Sequence, residues 1–253
     1  MYMKIFITSL LLYFISYLSY SQKIEILYKI DIERQFSKQA LLNFKKRQNQ
    51  EMAKNEILAF QNPNDEYYSL KINNNILKLD YIEVLDNDDK ETHIVVKNYP
   101  LGKESFRKQN DSLIYHLFKF DKDKYYASDT LVKNNWIETN KDSVIMDYNV
   151  KQIKLKTNLG NYTAWFTNKL PQGLGIGSLS YEKGFILAYS FSYLPREPFI
   201  KYTTKVYPYK KKKLRKKKIF DFKIPDKLYT QNEIKEIFRK RNEILNKPTE
   251  IKN

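Results

Sequence analysis

Apolar and charged residues nearly alternate from 23 to 32, Lys-Ile-Glu-Ile-Leu-Tyr-Lys-Ile-Asp-Ile, the pattern of a half-buried strand. The period changes over 37–56, where Leu41, Leu42, Phe44 and Met52 sit among Lys, Arg, Gln and Glu without Gly or Pro. That spacing predicts a polar helix with a thin apolar stripe, with a long hairpin excursion as the alternative. Short strand-like runs follow at 57–60, 67–72, 76–84, 93–96, 113–120, 124–127, 136–139, 144–157, 162–167, 184–194 and 200–206. Turn signals separate them: Asn62-Pro63-Asn64, Asn73-Asn74-Asn75, Asp86-Asn87-Asp88-Asp89 and Leu159-Gly160-Asn161. The last of these predicts a hairpin between 144–157 and 162–167. The fold class expected is mainly β (α+β): a meandering antiparallel sheet, sandwich or partly closed barrel, with one helix in the N-terminal half.

One run also distinguishes its two faces. Phe185, Leu187, Tyr189, Phe191 and Tyr193 alternate with Ile186, Ala188, Ser190, Ser192 and Leu194, so one face is aromatic and the other mostly small. Such a face is either a core stripe under a closing layer or the wall of an apolar groove. The chain closes with an amphipathic helix. Thr230 precedes Glu233 at the capping-box spacing; Ile234, Ile237, Phe238 and Leu245 share a face, and Pro248 lies beyond the end.

The first residues read differently. Lys4 precedes an apolar run from Ile5 to Leu18, followed by Ser19-Tyr20-Ser21. A charged start, a short apolar stretch and two small residues separated by one other are the layout of a secretory signal peptide, with cleavage after Ser21. As a helix the run rises roughly 21 Å, short of the roughly 30 Å hydrocarbon core, so the anchor reading is the weaker one. The expected organisation is a leader over 1–21 and a single β-rich domain over 22–253. The mature chain is expected to have no transmembrane segment and to reside in the periplasm or at the outer-membrane or extracellular surface. With no cysteine, a lipid-anchored cleavage site and any disulfide are both excluded.

Charge sharpens the picture. The formal net charge is +16. Much of the excess lies in Lys210, Lys211, Lys212, Lys213, Arg215, Lys216, Lys217 and Lys218, a block that repels itself and should be a solvated loop or the extended end of a strand. It is a candidate for binding anionic lipid headgroups or acidic glycans. Nucleic acid is not expected: an exported chain rarely meets it, and no recognition-helix, zinc-finger or RNA-binding sheet signature accompanies the block.

Catalytic chemistry leaves no trace in the sequence. The two histidines, His93 and His116, sit inside strand-like runs, where a cross-strand hydrogen bond or a surface position is the expected role. No nucleophile elbow, Walker loop or dinucleotide fingerprint occurs. Gly173-Leu174-Gly175-Ile176-Gly177 lacks the Lys-Ser/Thr and following helix of a phosphate loop and reads as a flexible turn after Pro171. Asp86, Asp88 and Asp89 lack the EF-hand's sixth-position Gly and twelfth-position Glu and read as a turn. Paired carboxylates need no fixed spacing, and nothing points to a pair. No catalytic, cofactor-binding or metal-ligating residue is assigned, and no cofactor is expected.

The segment from Trp136 to Leu187 resembles the GLPGLI family, exported bacterial envelope proteins of unknown function. Thr163-Ala164-Trp165-Phe166-Thr167-Asn168-Lys169-Leu170-Pro171 is similar to that family's Thr-Ala-Trp-Tyr-Thr-x-x-Ile-Pro stretch. Ten residues beyond Pro171, at the place of the name-giving hexapeptide, stands Tyr181-Glu182-Lys183-Gly184-Phe185-Ile186, with Gly184 and Ile186 identical. The family's Gly-Pro pair falls at Gly175-Ile176, and its Tyr-x-Cys at Tyr148-Asn149-Val150, without the Pro and the Cys. The resemblance implies a divergent member and supplies no catalytic residues. Trp165, Pro171, Gly184 and Ile186 suit structure: a large anchor, a strand exit, a close backbone approach and a core side chain. The reading that results is an exported, non-enzymatic binding or interaction module with an unknown envelope partner or ligand. The alternative is a basic peripheral protein held to anionic lipid or glycan.

Overall fold

The structure is a computed structural model that describes residues 23–47, 50–61, 63, 65–73, 75–83, 103–120, 122–131, 135–214 and 222–245. Eleven strands form one antiparallel sheet in the order β6-β5-β4-β3-β2-β1-β11-β10-β9-β8-β7. They are β1 (Lys23–Phe36), β2 (Glu66–Asn73), β3 (Ile76–Ile82), β4 (Glu104–Lys108), β5 (Leu113–Phe120), β6 (Asp123–Thr130), β7 (Ile137–Ile145), β8 (Tyr148–Lys156), β9 (Gly160–Thr167), β10 (Phe185–Tyr193) and β11 (Phe199–Lys213). Of the arrangements the sequence allows, the chain takes the open sheet; β6 and β7 are its edges and do not meet. Two meanders, β1 to β6 and β7 to β11, are joined where β1 pairs with β11 from Ile24↔Lys213 to Phe36↔Phe199.

The alternation along β1 does what its pattern demands. Ile26, Tyr28 and Ile30 turn to one face, with Tyr68, Leu70 and Ile72 of β2 and Leu77 and Leu79 of β3 beside them. These residues form a core shared with Tyr148 and Val150 of β8 and Phe185 and Leu187 of β10. β1 and β8 stand four strand spacings apart, roughly 19 Å in a flat sheet. Their side chains share one cluster, so the sheet curls about that face.

The opposite face is polar where it lies over β1 to β4. Lys71, Asp80, Lys78, Glu104 and Lys119 form a ladder of alternating charge across β2 to β5. Farther along, Phe222 stacks on Phe106 at 4.4 Å and covers Tyr115. The chain then passes the β6 edge, where the Tyr229 amide donates to Tyr126 O, and enters helix α3 (Gln231–Leu245). The capping box forms: the Glu233 amide donates to Thr230 Oγ1 and the Thr230 amide to Glu233 Oε2. Ile234 is buried and Ile237 and Phe238 are half-buried.

Several expectations are corrected. The N-terminal half carries two helices, α1 (Lys38–Arg47) and α2 (Gln50–Gln61), and the run 57–60 belongs to α2 rather than to a strand. Residues 144–157 are not one strand: Met146 and Asp147, with φ of 50° and 67°, make a two-residue hairpin turn between β7 and β8. β4 was not expected, because Glu-Ser-Phe-Arg-Lys offers one apolar residue; its pairing with β3 and β5 defines it. A bulge between Ile186 and Ala188 breaks the aromatic alternation and buries all of Phe185, Ile186, Leu187 and Ala188. The runs 1–21, 93–96 and 215–218, and Asp86, Asp88 and Asp89, lie outside the described residues.

Candidate functional site

Residues 168–184, between β9 and β10, form a strap that packs on both faces of β10. Leu170, Leu174 and Ile176 drop into the main core, while Leu179 and Tyr181 join Ile153, Ala164, Phe166 and Ile186 in a second cluster. Of the glycines in 173–177, Gly175 is buried and closely packed, while Gly173 and Gly177 are half-buried turn residues with φ of 73° and 70°. Gly175 bridges to Ile186 in parallel, and a Cβ there would lie 2.9 Å from that of Ile186.

Polar contacts pin the strap from both sides. Arg107 on β4, 2% exposed, donates from Nη1 to Leu179 O at 2.8 Å and from Nη2 to Gly173 O at 2.5 Å. Its Nε is buried without a hydrogen bond. Among the described residues no carboxylate lies within ion-pair distance of the guanidinium. Burial lowers its pKa to about 10, with Asp111 partly opposing, so it stays charged at neutral pH. On the other side Trp136 Nε1 donates to Ser180 O at 2.8 Å, and Glu138 accepts from Tyr181 Oη at 2.6 Å and Lys183 Nζ at 2.7 Å. The Lys183 ammonium, then Tyr181, holds the Glu138 carboxyl below its ordinary pKa.

The residues singled out by the resemblance meet here. Gly184 is required by contact: a Cβ would stand 2.5 Å from Phe166 Cδ2 and 2.8 Å from Thr167 O. Ile186 is fully buried and Pro171 is buried within the strap, four residues past the end of β9 rather than at its exit. Trp165 is half-buried against the main core. Arg107, which holds the strap at Gly173 and Leu179, had no sequence signal beyond a charged residue in a five-residue strand.

The basic block stands at the far end of the sheet. Lys210, Lys212 and Lys213 are exposed at the end of β11. Lys211 reaches the β7–β8 turn, its Nζ 4.5 Å from the Tyr148 ring centre, 3.2 Å from Met146 O and 3.6 Å from Asp147 Oδ2. Elsewhere Lys29 is matched with Asp31 and Asp65, Lys71 and Lys78 with Asp80, and Lys201 and Lys205 with Glu33, while Lys23 on β1 has no carboxylate within 4.0 Å among the described residues. Among the described residues no carboxylate lies within 4.0 Å of Lys210, Lys212 or Lys213. Arg215, Lys216, Lys217 and Lys218 lie outside the described residues.

His116 Nε2 lies 3.1 Å from Asp129 Oδ2 across β5 and β6; burial lowers the imidazole pKa and Asp129 partly restores it. Among the described residues no three His, Cys, Asp or Glu side chains are grouped to hold a metal ion. Nor is any helix there long and apolar enough to cross a membrane.

No family model matches the chain, and no curated protein matches it. Solved structures do. PNGF-II, in its C2 and P21 crystal forms, superposes with a TM-score of 0.52 at 16% and 17% identity. The alignment covers 87% of this chain and 33% of PNGF-II, so the chain spans about a third of that protein's length. At this identity the likeness is one of fold.

Proposed function

We propose that this chain is an exported, non-enzymatic binding module of the bacterial envelope, a divergent relative of GLPGLI proteins, whose ligand is polyanionic. One observation carries the reading. Lys29 on β1 and Lys201 and Lys205 earlier on β11 are matched with carboxylates, whereas Lys210, Lys212 and Lys213 stand exposed at the end of β11 with no carboxylate within 4.0 Å among the described residues. A fixed row of unmatched ammonium groups attracts phosphate, sulfate or carboxylate groups and releases their counterions. The packed strap supports the same reading, since it occupies space an apolar ligand would need.

The ligand chemistry fits an acidic glycan or an anionic lipid headgroup, and two arms separate them. Binding is measured to a soluble acidic polysaccharide and to vesicles of phosphatidylcholine with and without phosphatidylglycerol. Changing Lys210, Lys212 and Lys213 to Gln weakens the true ligand on the order of a hundredfold, at about 1 kcal/mol per lysine. The interaction fades as salt rises. Absence of binding in both arms at low salt removes the reading.

A further inference from the structure

The end of the sheet opposite the lysines exposes a group of six large apolar side chains, while Ile137, Val144 and Tyr209 are exposed elsewhere. Leu42 of α1, Leu58 and Phe60 of α2, Leu159 of the β8–β9 turn, and Leu194 and Ile200 flanking the β10–β11 loop are 40–54% exposed. These sites are one connected tip. The Leu194 amide donates to Leu159 O at 2.9 Å, and the Ser37 amide donates to Pro198 O at 2.9 Å. Phe36 packs against Phe60 at 6.4 Å and stacks on Phe199 at 5.0 Å, tying the helices to the loop.

The tip has a basic rim. Lys38, Lys45, Lys46, Lys54 and Arg196 are exposed on the same elements. The carboxylates described there are engaged: Glu197 accepts from Ser37 Oγ, Glu33 holds Lys201 and Lys205, and Asp65 holds Lys29. Just behind, Tyr193 and Tyr202 pack at 4.3 Å with the Arg34 guanidinium over the Tyr202 ring. Exposed aliphatic side chains, a tyrosine pair behind them and surrounding cations are the composition that settles into the headgroup boundary of an anionic bilayer.

We infer that this tip is a peripheral docking site for an anionic lipid surface. A protein partner would need a separate pocket for each of four elements, whereas acyl chains yield to each side chain independently. The inference also assigns the two ends different tasks. β11 runs from Phe199 at the tip to Lys213, about 46 Å at about 3.3 Å per residue. That is several Debye lengths, so a tip resting on a leaflet holds Lys210, Lys212 and Lys213 away from it. The lysine end then meets an acidic glycan rather than the same headgroups.

The test is co-sedimentation of the full chain with phosphatidylcholine vesicles containing phosphatidylglycerol. Changing Leu194 and Ile200 to Ser lowers vesicle affinity by about tenfold or more. The Lys210, Lys212 and Lys213 to Gln variant sediments as the parent does. Both sets are exposed, and an unchanged thermal midpoint verifies folding. A Leu159→Trp chain gives the direct reading: its emission shifts to the blue on vesicles and is quenched by brominated acyl chains. Vesicle binding lost with the lysines but kept by the Ser variant overturns the inference. So does an unquenched Leu159→Trp chain, or sedimentation velocity showing a dimer that the Ser variant dissolves.

Discussion

Arg107 Nη2 donates to Gly173 O at 2.5 Å, across 66 residues of sequence. β4, which bears Arg107, stands five strand spacings from β10 in the sheet, and the strap that bears Gly173 leads directly into β10. The contact joins the two meanders by a route independent of the β1–β11 ladder. Together with the Nη1 bond to Leu179 O it satisfies two strap carbonyls.

Arg107→Leu removes both donors and leaves Gly173 O and Leu179 O without them. The expected cost is about 3 kcal/mol, read as a lower urea midpoint with unchanged slope. Arg107→Lys has no fork and recovers part of that loss. An unchanged midpoint in Arg107→Leu means the strap is held by packing alone.

Two strap glycines separate space from conformation. Gly184→Ala drives a methyl group against Thr167 O and the Phe166 ring, and costs about 2–3 kcal/mol. Gly173 has φ +73° and open space around its missing Cβ. Gly173→Asn, which tolerates that backbone, costs less than about 1 kcal/mol. Equal costs in thermal unfolding would contradict this account.

Glu66 supplies a pH signature. Burial raises its carboxyl pKa from 4.5 to about 7, opposed by the Arg34 charge and the Tyr68 hydrogen bond. The folded state therefore holds a proton that the unfolded state has released, and stability falls as pH rises from about 4.5 to about 7. The group is partly open to solvent, so the drop is about 1–2 kcal/mol after screening. Glu66→Gln keeps its stability over that window; parallel profiles for the two chains would refute the assignment.

Phe222 ties α3 to the sheet. Its ring is 5% exposed against Phe106, Tyr115 and Tyr126. Phe222→Ala costs about 3–4 kcal/mol and speeds exchange of the Tyr229 amide and of α3, while β1 and β11 keep their protection. Uniform acceleration across the sheet would show that α3 is not a separable unit.

Individual elements show how far local pattern carries. β5 is legible to the residue, 113–120, because its apolar run is bounded by turn residues at both ends. The Thr230–Glu233 capping box is equally local and forms as the spacing requires. The Met146-Asp147 turn carries no Gly or Asn-Gly signal, so the β7–β8 hairpin reads as one strand. β4 reads as polar because two of its three buried residues are Ser105 and Arg107. The lysine block is visible as composition, yet whether each lysine is matched depends on register: Glu33 meets Lys201 and Lys205 only because β1 and β11 pair as they do.

The sequence by itself determined the class, the main strands, the closing helix and the excess of positive charge, since each follows from residue spacing within one segment. Tertiary structure alone decided that the sheet stays open and curls, that residues 168–184 pack on both faces of β10, and that Arg107 holds them there. It also placed the apolar tip and the lysines at opposite ends of β11. Those outcomes depend on strand order and on contacts between residues far apart in the chain, which no local periodicity encodes.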